Sequence, residues 1–232
     1  MSPTEAAITH PRRIRSFVLR EGRMTEGQKR ALEQLWPRYG LEPPTAPLDL
    51  PSLFGRTAPV SFEIGFGMGD YLYSRVVAEP QRDFIGVEVH RPGVGRLLSR
   101  VAADNAGNLR VACHDAVEVL RDWLPAACLD ELVIQFPDPW HKKKHHKRRL
   151  IQPEFAQLVV SRLKAGGQLR LATDWADYAE QMLAVLNAEP GLRNLSADGT
   201  YVPRPPERLK TKFEQRGERL GHAVFDLAYA RA

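Results

Sequence analysis

Residues 136–150 read FPDPWHKKKHHKRRL, an aspartate held between two prolines and followed by six Lys/Arg and two His within positions 142–149. Proline fixes its own backbone angle, so Pro137 and Pro139 restrict how Asp138 is aimed. A carboxylate presented this way can accept hydrogen bonds from a nucleoside. The cationic run beside it suits an acidic partner, of which nucleic acid is the commonest. A solvated loop is the plainer alternative for the run. A second cluster, Arg12, Arg13, Arg15, Arg20 and Arg23, lies near the N-terminus. His145 and His146 read as polar loop residues, because no acidic or Cys partner is spaced to complete a metal site.

A second group of residues could bind a small molecule. Glu63 precedes Gly65, Gly67 and Gly69 in the run EIGFGMGD. Glycines let a backbone turn sharply and come close to a ligand. The dinucleotide fingerprint GxGxxG would want Gly or Ala where this chain has Asp70, and a pyrophosphate there would meet a carboxylate. The loop therefore suits a nucleoside without phosphates, or serves only as a structural turn. Glu88 follows about 20 residues on, where an acid bonds ribose hydroxyls in nucleotide-binding sheets. Asp115 comes after the next apolar run, placed to read an adenine edge or to cap a helix. Gly, Glu and Asp at three successive strand ends point to S-adenosylmethionine, whose sulfonium is positive and which carries no phosphate.

These residues need a frame. Residues 1–24 lack periodicity and read as a basic arm. Residues 25–59 read as a helix and a Pro-rich linker. Thr25 and Gln28 form a capping box there, Leu32, Leu35, Trp36 and Tyr39 share one face, and Pro37 is a possible early stop before Gly40. From residue 60 strands alternate with helices. Strands are expected in VSFEIGF, DFIGVEVH, NLRVACH, DELVIQF, GQLRLAT and LGHAVFDLAYA. Helices are expected in GDYLYSRVVAEP, PGVGRLLSRVAADN, AVEVLRDWL, PEFAQLVVSRLKAG and DWADYAEQMLAVLNAE. That alternation predicts an α/β fold, a parallel sheet with helices on both faces, and ligands bind such sheets at the carboxyl ends of the strands. Asp174 sits at one such end and is a natural N-cap. Residues 204–217 carry too much proline and charge for a core element and read as an exposed loop, a lid or a connection.

The 232 residues, 43% hydrophobic with net charge +5, suffice for one domain with a full core. Two cysteines without metal or disulfide spacing fit a reducing cytoplasm. No apolar stretch is long enough for a membrane span, so a cytoplasmic protein without membrane or metal is expected.

The stretches FEIGFGMGDYL, GVEVHRPGV, HDAVEVL, FPDPWHKKKHHKRRL, LATDWADYAEQM and RLKTKFEQRGERLGH together carry a resemblance over roughly residues 55–230. The chain resembles the class I S-adenosylmethionine-dependent methyltransferases and, within them, the tRNA (guanine-N7-)-methyltransferase family of the TrmB type. The resemblance implies a Rossmann-like fold with a mostly parallel seven-stranded sheet, and a methyltransferase domain over residues 60–232. By it Glu63, Glu88, Asp115 and Asp138 would contact the cofactor, with Gly65, Gly67 and Gly69 in the shared glycine loop and Asp138 also catalytic. Lys142, Asp174, Thr211, Lys212, Phe213 and Glu214 would contact the target nucleotide. The family methylates N7 of the guanine at position 46, in the variable loop of tRNA.

Guanine N7 has a free lone pair, so its methylation needs positioning and electrostatics rather than a strong base. Asp138 is accordingly read as an orienting and electrostatic residue. Trp140 can stack on the base or pack under its loop. Three other readings stand beside this one. The run DPW is similar to the (D/N)PP(Y/F/W) loop of adenine-N6 enzymes, although here Pro137 precedes the acid. An RNA-binding module with a vestigial pocket is the second, and a dinucleotide oxidoreductase, disfavoured by Asp70, the third. Monomer and homodimer both remain open.

Overall fold

The computed structural model describes residues 16–17, 22–206, 208 and 223–232. Helix α1 (Glu26–Tyr39) starts at Thr25, whose hydroxyl accepts from the Gln28 amide while the Gln28 side chain accepts from the Thr25 amide. Pro37 does not stop it early. It lies in the last turn, and the helix runs to Tyr39, with the Gly40 amide donating to the Trp36 carbonyl. Strand β1 (Gly40–Leu41) and helix α2 (Leu50–Phe54) follow, and Leu41 and Leu50 are buried in the core.

The alternating elements are β2 (Val60–Ile64), α3 (Asp70–Ala78), β3 (Asp83–Val87), α4 (Arg91–Ala103), β4 (Leu109–Ala112) and α5 (Ala116–Glu118). A π-helical turn, Val119–Trp123, completes the expected AVEVLRDWL helix and leads to β5 (Leu129–Gln135). Then come a 3-10 turn over Lys143–Arg148, α6 (Pro153–Arg162), β6 (Leu163–Thr173), α7 (Ala176–Asn187), β7 (Leu192–Asn194) and β8 (Phe225–Arg231). The strand order is β1-β4-β3-β2-β5-β6-β8-β7, parallel except for the antiparallel β6–β8 and β7–β8 pairs.

The fold is therefore Rossmann-like and mostly parallel. Its sheet has eight strands instead of the expected seven, because Gly40, expected as the helix stop, and Leu41, the first residue of the linker, pair with β4 at the edge. The helix expected to run through Gly166 ends at Arg162. Leu163 is fully buried and already pairs with Leu129, and Gly166 takes a left-handed φ of 75°.

A sheet covered on both faces demands apolar residues on both sides of each strand. β2 and β3 are buried throughout. Phe84, Leu109 and Val111 pack with Leu72, Leu97 and Leu98 under α1, α3 and α4, whereas Phe62, Ile85 and Leu132 pack with Phe155, Val159 and Tyr178 under α6 and α7. Among the polar exceptions on buried positions, Ser61, Glu63 and Glu131 sit on the central strands β2 and β5, a first sign that the centre of the sheet serves more than packing. Among the described residues no helix is long and apolar enough to cross a membrane.

Candidate nucleotide site at the carboxyl ends of the strands

A cavity of about 480 Å³ opens where β2, β3, β4 and β5 end. Its walls include Ile64, Val87, His114, Ile134 and Phe136, with Gly65, Gly67, Glu88 and Asp138 among them as polar or backbone-exposing elements. Apolar walls with a few convergent polar groups characterise small-molecule sites of about 300–1,000 Å³. Ser16 and Phe17 also line it, a contribution from the N-terminal segment that its lack of periodicity gave no means to anticipate.

The glycine loop behaves as its residues require. Gly65, Gly67 and Gly69 have φ values of 71°, 57° and 75°, a region that costs side chains dearly. Asp70, in contrast, does not face a ligand. Its carboxylate is bound by Arg96 at 2.9 Å and by Arg100 at 2.6 Å, which tie α3 to α4 and hold it below the usual carboxylate range, the Arg96 hydrogen bond being the main cause. The expected repulsion of a phosphate at this position is thus neutralised by two arginines. The sequence reading also missed Gly93. A Cβ there would lie 1.9 Å from the Gly67 carbonyl oxygen, so α4 can press against the glycine loop only without one. Gly93→Ala is expected to destabilise the fold by roughly 1–3 kcal/mol and to weaken cofactor binding, as a melting curve and calorimetric titration would read. Unchanged binding would show that the loop tolerates displacement.

Glu88 is the organiser of this loop. One oxygen accepts from the Gly67 amide at 2.8 Å, the other from the amides of Val89 at 2.7 Å and His90 at 2.9 Å. Glu63 lies deeper, 5% exposed at the next-to-last position of β2, and accepts no hydrogen bond among the described residues. Burial pushes its carboxyl up to about 8 against the opposing pull of Arg75. A folded-state value above the unfolded 4.5 means that the folded protein holds the proton more tightly. Its stabilising effect is complete below pH 4.5, declines from there, and is gone above about 8. Wild-type stability relative to Glu63→Gln should therefore fall across that window and be flat beyond it; a pH-independent difference in chemical denaturation would refute the assignment.

Asp115 caps α5, its Oδ1 accepting from the Val117 amide at 2.9 Å, while the neighbouring His114 and Ala116 line the cavity. His114 is itself held by Glu118 at 2.8 Å and rests on Trp123.

Asp138 is exposed, on a loop whose flanks are contorted. Phe136 and Trp140 both adopt left-handed φ, 49° and 48°. Such conformations cost on the order of 1–3 kcal/mol each and persist where the surroundings over-determine them. The Trp140 amide donates to Asp138 Oδ1 at 3.1 Å. The Trp140 ring is engaged within the protein: Arg148 lies 4.0 Å over it, His145 stacks at 5.9 Å, and its indole N–H donates to the Ser16 carbonyl at 3.1 Å. This favours packing over stacking on a base.

The basic run divides. Lys142, Lys143, Lys144 and Lys147 are exposed. Arg149, part of the cationic run expected to meet an acidic partner, is instead buried and bound within the protein. In the sequence it is indistinguishable from its neighbours.

Asp174 follows β6, and the residue at the cap position of α7 is Trp175, whose amide donates to Thr173 Oγ1. Asp174 is therefore not the helix cap, and its carboxylate accepts no hydrogen bond among the described residues. Thr211, Lys212, Phe213 and Glu214 lie outside the described residues. No group of three His, Cys, Asp or Glu side chains that could hold a metal occurs among those described.

Comparison with known proteins matches this geometry to a chemistry. A family model described as "Putative methyltransferase" covers residues 57–227. A protein of Ectopseudomonas mendocina (strain ymp), named tRNA (guanine-N(7)-)-methyltransferase, is 59% identical over 220 residues, spanning 95% of this chain and 92% of that one. A protein of the same name from Edwardsiella ictaluri (strain 93-146) is 56% identical, spanning 95% of this chain and 92% of its own. Among solved structures, the 16S rRNA methyltransferase KamB aligns with TM-score 0.57 at 18% identity, covering 91% of this chain and 95% of its own. A 16S rRNA (adenine(1408)-N(1))-methyltransferase variant from Catenulisporales acidiphilia, solved with its cosubstrate SAM, aligns with TM-score 0.53 at 17% identity, covering 83% and 92%. At these identities the structures speak to the fold alone.

Proposed function

The chain belongs to the tRNA (guanine-N7-)-methyltransferase family, the TrmB type of class I methyltransferase, and from that premise we propose the reaction and the residues that perform it. It transfers the methyl group of S-adenosylmethionine to N7 of guanine 46 in the tRNA variable loop, in the cytoplasm, leaving S-adenosylhomocysteine. The observation that carries this reading is the juxtaposition of a nucleoside-sized cavity organised by Glu88 with the strained Asp138 loop and its exposed lysines.

The residues fit the cofactor. Gly65 and Gly67 keep the loop backbone open to a ligand, since a Cβ at either would meet only free space, whereas a Cβ at Gly69 would lie 2.9 Å from Leu97, so Gly69 lets the loop pack on α4. Glu88 retains acceptor capacity for a ribose diol beyond its three backbone bonds. Glu88 and Asp138 give the cavity acidic walls suited to a cation, and Asp115 adds to them beside His114. Glu63, kept protonated at neutral pH by its burial, lies behind the wall as a neutral polar group. When bound, the cofactor supplies an electrophilic methyl on a sulfonium.

The protein's own part is to place guanine N7 in line with that methyl and to answer the positive charge that the ring acquires. Asp138 and Asp174 are the carboxylates that accept from guanine N1–H and its amino group. Asp174 has no hydrogen-bond donor committed to it among the described residues, and Asp138 has committed one oxygen to the Trp140 amide. Lys142 reaches the target nucleotide, joined by Thr211, Lys212, Phe213 and Glu214. Drawing a base out of folded tRNA costs a few kcal/mol, on the order of the unstacking energy in other base-flipping enzymes. Phosphate contacts from Lys143, Lys144 and Lys147 offset it, and the basic arm over residues 1–24 adds to them.

The test is methyl transfer from labelled S-adenosylmethionine to an unmodified tRNA transcript, beside the same transcript with guanine 46 replaced, followed by nucleoside analysis. N7-methylguanine on the first alone is the expected result. A different methylated nucleoside, or equal transfer to both, overturns the assigned atom or position.

A further inference from the structure

Arg149 is the most enclosed cation of the basic run, 3% exposed, and its guanidinium joins three separate segments. Nε donates to the Pro139 carbonyl at 2.8 Å, Nη1 to Gln181 Oε1 at 2.6 Å, and Nη2 to His146 Nε2 at 3.1 Å and to Asp177 Oδ2. The group lies 4.8 Å over the Tyr178 ring, and the Tyr178 hydroxyl accepts from the Ile151 amide at 3.1 Å. The bond to Pro139 grips the carbonyl of the residue immediately after Asp138, between the left-handed residues Phe136 and Trp140. Asp177, Tyr178 and Gln181 all belong to α7, which starts two residues after Asp174. The same two segments meet again where His141 rests on Trp175, ring centroids 4.2 Å apart.

We propose that Arg149 is a positioning residue for methyl transfer, joining the Asp138 loop to α7 so that Asp138 and Asp174 are held at a fixed separation across the target base. This rests on the proposed function. The physical reason is the planar fork, which can satisfy partners in three directions at once. A lysine at this position keeps the charge but offers a single compact ammonium, so it cannot hold Pro139 and α7 together. Loosening the loop leaves Asp138 in place chemically but misaimed, and a displacement of about 1 Å can cost on the order of 100-fold in rate.

Wild type, Arg149→Lys and Asp177→Asn would be compared in methyl transfer at saturating cofactor, with tRNA varied at several salt concentrations, alongside cofactor titration and thermal unfolding. For Arg149→Lys the expected result is a loss in kcat on the order of 100-fold, with cofactor affinity and the salt slope of tRNA binding unchanged. Asp177 is the exposed end of the same contact, so Asp177→Asn should unfold near the wild-type temperature yet lose kcat by several-fold. Retained kcat in Arg149→Lys, or a loss confined to KM with a shallower salt slope, overturns the proposal and returns Arg149 to the phosphate contacts. If Arg149→Lys unfolds below the assay temperature, wild-type kcat in Asp177→Asn is the overturning result. Failure of the wild type to methylate tRNA would count against the proposed function instead.

Discussion

Replacing Asp138 with alanine is expected to lower turnover by about 100- to 1,000-fold, the usual cost of deleting an electrostatic group aimed at developing charge, while changing cofactor affinity far less. The side chain is exposed and, among the described residues, its one hydrogen bond is from the Trp140 amide, so the variant should fold. What it loses is an acceptor and a negative charge beside a ring that becomes cationic. Asp138→Asn separates the two: it keeps an acceptor but removes the charge, and should fall between alanine and wild type. Single-turnover rates at saturating tRNA, with calorimetric cofactor titration, provide the measurement. Equal losses in rate and cofactor affinity would make Asp138 chiefly a cofactor ligand.

The strand ends were legible because their chemistry is local. Three glycines must turn a backbone wherever they stand, and an acid after an apolar run lands at the carboxyl end of a parallel strand. Asp138, Glu88 and the glycine loop accordingly came from the sequence with their neighbourhood intact. Arg149 and Gly93 did not. Arg149 differs from Arg148 only in what folds against it, the α7 residues Asp177 and Gln181, some 28 and 32 positions away. Gly93 looks like an ordinary glycine early in a helix, and its purpose appears only when the Gly67 carbonyl arrives from the neighbouring β2–α3 loop. Strand β1 escaped for the same reason, since two residues carry no periodicity and their pairing with β4 depends on α1 packing beside α4.

These long-range contacts connect the two halves of the site. Gly93 supports the cofactor loop from below, and Arg149 holds the loop that faces the nucleotide, so both act on geometry without touching the reacting atoms. Their loss should be felt in different constants, cofactor affinity for one and kcat for the other. Additive effects in the double variant would follow from their separation, since distant sites without shared partners combine independently.

Glu88→Gln should abolish most cofactor binding, by about 100-fold or more, since each hydrogen bond to a charged group is worth about 1.5–3 kcal/mol and each 1.4 kcal/mol is tenfold. The substitution is nearly isosteric, so the effect is one of donors and acceptors. Glu88 accepts from Gly67 with one oxygen and from Val89 and His90 with the other. A glutamine must turn its NH2 toward one side, where it meets an amide that is itself a donor. With the amide oxygen toward Val89 and His90, the glycine loop loses its tether; with it toward Gly67, two other amides are left without an acceptor. Either arrangement also weakens the contact offered to a ribose. Cofactor titration decides it: affinity within about threefold of wild type, on a scale where tenfold is 1.4 kcal/mol, would mean that the glycines alone set the loop and that Glu88 is dispensable to it.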